Sequence, residues 1–339
     1  MTDFDRLPMR LAVGQLNQLT DEAILFAKQL GIQDIQFNMY HGSPHLPGET
    51  HWEYMDLLKL RTRCEDAGLR LNAIENVPIK FYIKAMLGEP GRDEQIEHMQ
   101  TTIRNMGRAG IPIFGYHWAI DGVWRTSTTT LARGGAHVTA FDYALVQDAP
   151  LTHGRPYSDE EIWDNYIYYM KAILPVAEEA GVKLALHPDD PPVPTLAGVA
   201  RIMRSYENFK KAMEVAASPN HGLDFCVGSW SEMDAEPGMV LDAIRHFGSQ
   251  GKIFYVHFRD VLGRVPKFRE AFINEGNLDM FEVMQTLHEV GFRGFLLDDH
   301  VPMMSNDSGW NNRSRSFALG QMSVMLDRVM RGERVAQAA

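Results

Sequence analysis

The sequence predicts a (β/α)₈ barrel, one domain over residues 1–339, on three observations. Short β-type runs alternate with amphipathic stretches along the whole chain, the pattern of parallel βα units, and eight such pairs can be counted. Glycines and capping residues punctuate the pairs. The length of 339 residues suits one barrel enlarged by a long loop, since a plain barrel uses about 250.

The first strand, residues 10–13, is followed by Thr20-Asp21, a capping pair opening a helix over 22–30 that Gly31 closes. Strand two is 34–38. A helix over 49–67 ends at Gly68, and strand three, 69–75, stops at the turn formers Asn76-Val77-Pro78. Residues 93–109 set Ile96, Met99, Ile103 and Met106 on one helical face before Gly110, and 111–116 supplies strand four. Residues 117–157 carry no sustained periodicity and read as a long insertion, the kind of loop that serves as a lid. Helix 159–180 follows, then strand 182–187, a helix over 198–217, strand 222–226 and helix 239–247. Strand 252–258, helix 278–290, strand eight from 294 to 298 or 299 and helix 313–330 complete the pattern.

Composition narrows the function. With 45% apolar, 23% charged and 10% aromatic residues the chain is neither fibrous nor disordered. Its net charge of −11, with no basic block, removes the footprint of nucleic-acid and anionic-membrane binders. No run approaches the ~18 apolar residues of a membrane helix. Two cysteines, Cys64 and Cys226, are too few for a disulfide framework, and the start MTDFDRLPMR lacks the apolar core of an export signal, so a cytoplasmic protein is expected. Its partners should be small molecules and further copies of itself in a homo-oligomer.

Barrel chemistry sits at the C-terminal strand ends. Strand five ends in His187, strand six in Cys226, strand seven in His257, and strand eight in Asp298, Asp299 and His300. Imidazole, thiolate and carboxylate on adjacent strands about 5 Å apart converge as a divalent-metal site. Cys64, inside a helical pattern, reads as core. Glu75 closes strand three, and Tyr116 with His117 closes strand four, as candidate base or substrate ligands. Arg259 shares the pleat parity of His257, and Arg125 beside Trp124 in the long insertion is a second candidate for holding an anionic substrate. Asp189 and Asp190 follow His187 directly, where they suit orienting the imidazole and meeting substrate. A structural salt bridge or cap is the competing reading for each of these groups.

At these residues the sequence resembles the mannonate dehydratase family, metal-dependent barrels that remove water from D-mannonate to give 2-keto-3-deoxygluconate. The resemblance is carried by IENVP (74–78), GEPGRDEQIEHMQTTIRNMGRAGI from Gly88, WRT (124–126), HPDDPP (187–192), FCVGS (225–229), HFRD (257–260) and LDMFEVMQTLHEVGFRG ahead of DDH. It implies His187, Cys226, His257 and Asp299 as ligands, usually of Mn²⁺, although the donor types alone would equally accept Fe²⁺, Co²⁺ or Zn²⁺. It also implies His300 as acid/base catalyst and a sugar acid or sugar as substrate. The chain departs from the pattern where DDHVP replaces Asp-His-Gly-Arg, where Arg315 stands in place of a tyrosine, and in YHWAIDGVWRT. The metal shell is kept and the substrate shell altered. A dehydratase working through an enediolate, with Arg259, Arg125 or Arg315 clamping the carboxylate, is therefore expected. A sugar isomerase or epimerase, favoured by Glu75 as base, a glycoside-modifying lyase, and a noncatalytic sugar-binding barrel are the alternatives. Cys226 separates them, because the isomerase sites are dominated by carboxylates.

Overall fold

The computed structural model describes residues 7–233 and 238–333; the first six residues, on which the compartment expectation partly rests, lie outside them. The chain runs β1 (Arg10–Leu16), α1 (Asp21–Gln29), β2 (Asp34–Asn38), α2 (Tyr54–Asp66), β3 (Arg70–Glu75), α3 (Ile83–Leu87), α4 (Arg92–Ala109) and β4 (Ile113–His117). It continues with β5 (Ser127–Leu131), β6 (His137–Asp142), α5 (Asp159–Ala180), β7 (Lys183–His187), β8 (Thr195–Leu196), β9 (Val199–Ala200), α6 (Tyr206–Val215) and β10 (His221–Cys226). The last part is α7 (Val227–Met233), α8 (Gly238–Ser249), β11 (Ile253–His257), β12 (Val261–Arg264), β13 (Lys267–Glu270), α9 (Met280–Glu289), β14 (Phe295–Leu297) and α10 (Asn312–Met330).

Eight of these strands close a barrel in the order β1-β14-β11-β10-β7-β4-β3-β2, each pair parallel. The expected fold class is the observed one. Local chemistry starts and stops the helices as the sequence suggests. Thr20 accepts from the Ala23 amide at the start of α1, Ser158 from Glu161 at α5 and Asp279 from Phe281 at α9, while Gly110 and Gly181 end α4 and α5 in the left-handed conformation.

Two apolar layers result. Ile103, Met106, Ile173 and Leu184 belong to the core between helices and barrel, where each fully buried aliphatic contributes roughly 1.5–3 kcal/mol. Inside the barrel, Ala12, Ala73, Ile113 and Ala185 pack with Tyr255, Phe295 and Leu297. Small side chains there make room for large ones: a Cβ on Gly115 would collide with the Tyr255 hydroxyl and with Glu75.

The structure corrects several expectations. The 117–157 segment is not irregular throughout, because β5 and β6 form a hairpin in it. That hairpin joins β12 and β13, which follow barrel strand β11, in an antiparallel sheet of order β12-β13-β6-β5. Phe141, Val193, Leu196, Val261 and Phe268 form a separate small core under this cap. In the stretch expected as one helix over 198–217, β9 instead pairs with β8 just before it and the helix α6 starts only at Tyr206, and α2 begins at Tyr54 rather than at 49. Polar, turn-rich sequence hid these short strands, which depend on their pairing partners rather than on strong alternation of their own. Among the described residues no helix is long and apolar enough to cross a membrane.

Candidate active site

Strand register builds the centre. His117 pairs with His187 across β4 and β7, Cys226 with His257 across β10 and β11, and His257 with Leu297 on β14, two residues before Asp299. The ends of four neighbouring strands therefore lie at one level. Ligand atoms of His187, Cys226 and His257 fall within 4.8 Å of one another, and Asp299 Oδ2 is 3.8 Å from Cys226 Sγ and 3.7 Å from His257 Nδ1. All four groups the sequence singled out for a metal meet in one place.

Outer contacts orient their lone pairs. His187 Nδ1 lies 2.7 Å from the Pro188 carbonyl, an acceptor, so this nitrogen carries a proton and Nε2 is the atom turned toward the cluster. His257 is held at Nε2 by Glu75 (2.9 Å) and Asp224 (3.4 Å), while its buried Nδ1 has no hydrogen-bond partner. A buried imidazole nitrogen with no hydrogen-bond partner, facing a thiol and a carboxylate, is a donor that a cation would take up. Two imidazoles and two anionic donors fit a divalent ion in number, charge and softness.

Charge at the site favours the ligating forms of the thiol and the carboxylate. Burial opposes ionisation of the Cys226 thiol, yet Arg259 and His187 bring it down to about 5. Burial likewise opposes the Asp299 carboxylate, but His300, His257 and Arg259 hold it well below the usual range. His187 is pushed up to about 10 against its burial, chiefly by the Cys226 thiolate, so the cluster draws positive charge inward. Cys64, by contrast, is a buried thiol raised to about 12, in keeping with a core residue.

Above the cluster opens a cavity of about 670 Å³, bordered by Glu75, His117, His187, Asp190, His257, Asp299, His300 and Arg315 among others. Several of its residues were not singled out from the sequence. Gln15 donates to Asp299 Oδ1 (2.9 Å) and takes a bond from Asn38 (2.5 Å), a relay from the first two strand ends that fixes the carboxylate. Gln15 and Asn76 both hold positive φ, 60° and 56°, strained backbone placed where it turns polar groups toward the mouth. Tyr40 and Trp310 complete the wall. The strand-end rule would have found Gln15 and Asn38, had amides been considered beside ionisable groups.

The structure reassigns much of the expected substrate shell. Glu75 borders the cavity but already accepts from Gln36 (2.5 Å), Asn76 (2.8 Å), Tyr255 (3.0 Å) and His257 (2.9 Å), so it holds His257 and is not a free base. Arg259 is buried and spends its guanidinium on Asp299 (2.8 Å), Asp190 (2.8 Å), Glu232 (3.0 Å), Glu270 (3.1 Å) and Ser229 (3.0 Å). Arg125 is likewise engaged, doubly by Asp190 (2.5 and 2.8 Å) and by Glu270 (2.8 Å). Neither arginine borders this cavity, though Arg125 lines a smaller one beside it together with His300 and Arg315. Trp124 packs on the cap core, and Asp189 is tied to Arg201 (3.3 Å) and the Met203 amide (2.7 Å), leaving its neighbour Asp190 at the cavity wall. Tyr116 points away from the mouth: its hydroxyl meets His221 (2.9 Å) and Tyr166 (3.2 Å) in the helix layer.

Beside Glu75, Asp190 and the ligand candidates His187, His257 and Asp299, three more expected residues border the cavity. His117 is buried with neither ring nitrogen partnered, and burial with nearby His187 lowers it to about 3, so it is a neutral imidazole. Arg315 donates from Nη1 to Asp298 (2.8 Å) and from Nε to the Trp310 carbonyl (2.9 Å), bonds that leave Nη2 uncommitted among the described residues. His300, with its side chain 36% exposed, lies at Nδ1 2.9 Å from Glu270.

The model of the D-mannonate dehydratase family matches residues 20–154 and 150–335. The chain belongs to the mannonate dehydratase family. Mannonate dehydratase 2 of Halalkalibacterium halodurans is 32% identical over 285 residues, covering 76% of this chain and 81% of the relative. The mannonate dehydratase of Thermotoga maritima is 29% identical over 300 residues, 78% of this chain and 80% of the relative. The crystal structure of mannonate dehydratase from Streptococcus suis serotype 2 superposes with a TM-score of 0.84 at 28% identity, covering 98% of this chain and 99% of that one. An L-ribulose 3-epimerase structure shares the fold alone, with a TM-score of 0.61 at 16% identity. As a mannonate dehydratase family member the chain is a hydro-lyase, which sets aside the isomerase and the noncatalytic alternatives.

Proposed function

We propose that the protein dehydrates a sugar acid of the D-mannonate type to a 2-keto-3-deoxy acid through an enediolate. The observation that carries this reading is the convergence of His187, Cys226, His257 and Asp299 beneath a cavity that also presents His300 and Arg315. His187 through Nε2, Cys226, His257 through Nδ1 and Asp299 would hold a divalent ion, Mn²⁺ being the expectation from the family. When bound, such an ion supplies Lewis acidity toward the substrate carboxylate and its neighbouring hydroxyl, which acidifies the adjacent C–H.

The chain's own groups do the rest. Arg315 meets the substrate carboxylate, since it is the arginine bordering the cavity and Arg259 and Arg125 are committed to protein carboxylates. His117, neutral and unpartnered, hydrogen-bonds a substrate hydroxyl. His300 moves the proton: with Nδ1 held by Glu270, Nε2 takes the α-proton as the enediolate forms and gives it to the departing β-hydroxyl, which leaves as water. The 117–157 insertion covers the mouth, where Ala119, Gly122 and Val123 line the cavity and exclude solvent from the reacting carbons. The net charge of −11 opposes an anionic substrate globally, so the ion and Arg315 must reverse that field locally.

The test is a panel of aldonates given to metal-loaded protein and followed by NMR. The expected result is the new methylene of a 3-deoxy product from one aldonate. Turnover of neutral ketoses with every sugar acid untouched would overturn the reading.

A further inference from the structure

The cap contributes a residue to the chemistry. We propose that Glu270, at the end of cap strand β13, is the positioning residue that fixes the ring of His300 for proton transfer. The inference rests on the dehydratase reading and deepens it, because among the described residues the close contact to the His300 ring comes from the cap, while the barrel's Asp299 lies 3.8 Å from Nε2.

Glu270 is buried, 1% exposed, although it lies on a surface sheet. Its Oε1 is 2.9 Å from His300 Nδ1, and it takes further bonds from Arg125 (2.8 Å) and Arg259 (3.1 Å). Arg125 Nη2 also approaches the same imidazole nitrogen at 3.4 Å, a longer contact than the carboxylate's. Both arginines are locked in turn by Asp190 (2.5 and 2.8 Å), so the Glu270 carboxylate cannot swing. An imidazole that donates at Nδ1 to a fixed carboxylate has one orientation and presents Nε2 in a defined direction. The same arginine that anchors Glu270, Arg259, donates to Asp299 (2.8 Å), so one ionic lattice sets the acid/base group and a candidate ligand relative to each other. The lattice is assembled by strand pairing: Lys267, Phe268 and Arg269 of β13 pair with Asp142, Phe141 and Ala140 of β6, and Arg125 lies just ahead of β5. The cap is thus joined to the proton-transfer machinery rather than merely laid over it.

The experiment compares Glu270→Ala, Glu270→Gln and His300→Gln in the full chain loaded with a diamagnetic divalent ion. First, a downfield imidazole N–H resonance, visible only when a strong acceptor protects it from exchange, should be present in the wild type and lost in both Glu270→Ala and His300→Gln. Second, Glu270→Ala should lower kcat at least tenfold with KM within about threefold and with metal content unchanged, and Glu270→Gln, which keeps an acceptor oxygen, should recover part of that loss. Persistence of the resonance in Glu270→Ala, or an unchanged kcat, overturns the proposal. If the wild type dehydrates no sugar acid, the functional reading fails, and the resonance still decides whether Glu270 holds His300.

Discussion

The donors around the candidate ion and the arginines around the donors both follow barrel strands, yet they behave in opposite ways. His187, Cys226 and His257 stand where strand register puts them, level and facing inward. Arg259, two residues beyond one of those donors, turns into a lattice of Asp190, Glu232, Glu270 and Asp299. Parity along a strand decides the direction of a short side chain. A long guanidinium follows the nearest carboxylates instead, because a buried charge without partners costs several kcal/mol. Polar residues close to the strand can therefore be assigned from sequence position, whereas arginines are assigned by their neighbours.

Breaking the two regions separately should give different signatures. The largest effect is expected from His300→Gln, which should cut kcat by about 10²–10⁴-fold while leaving metal content and folding intact; kinetics beside elemental analysis checks it. Arg259→Leu should act on the lattice, lowering stability by roughly 3–5 kcal/mol through the carboxylates it strands, and a thermal or denaturant melt reads that loss. Arg315→Met should lower kcat/KM by about 10–100-fold, the worth of one hydrogen bond to a charged group at roughly 1.5–3 kcal/mol, and should lower the melt by less than Arg259→Leu because it strands one carboxylate, Asp298. Should Arg259 and Arg315 exchange these signatures, the division between lattice and substrate shell is wrong. Tyr116→Phe is expected to be the mildest, about 1 kcal/mol of stability with kcat/KM unaltered, since its hydroxyl serves His221 in the helix layer.

The barrel was legible because hydrophobic period and glycine punctuation agree along most of the chain, and the four ligand candidates because one rule locates chemistry in this fold. The cap was not legible. Its strands, such as STTTL in β5 with exposed threonines, carry weak alternation and pair across more than a hundred residues, β6 with β13. Glu270 was missed for the same reason: only that pairing brings it to His300. Glu75 was legible in place but not in role, because the four donors around it come from β2, β11 and its own strand end.

The central claim is that one ion is held by His187, Cys226, His257 and Asp299. Cobalt substitution tests it most directly, because a thiolate bound to Co²⁺ gives a charge-transfer absorption in the near ultraviolet. The band should appear at one equivalent of Co²⁺ in the wild type and in Cys64→Ser, and be absent in Cys226→Ser. A band that survives in Cys226→Ser, or full cobalt occupancy of the wild type with no band, would contradict the account.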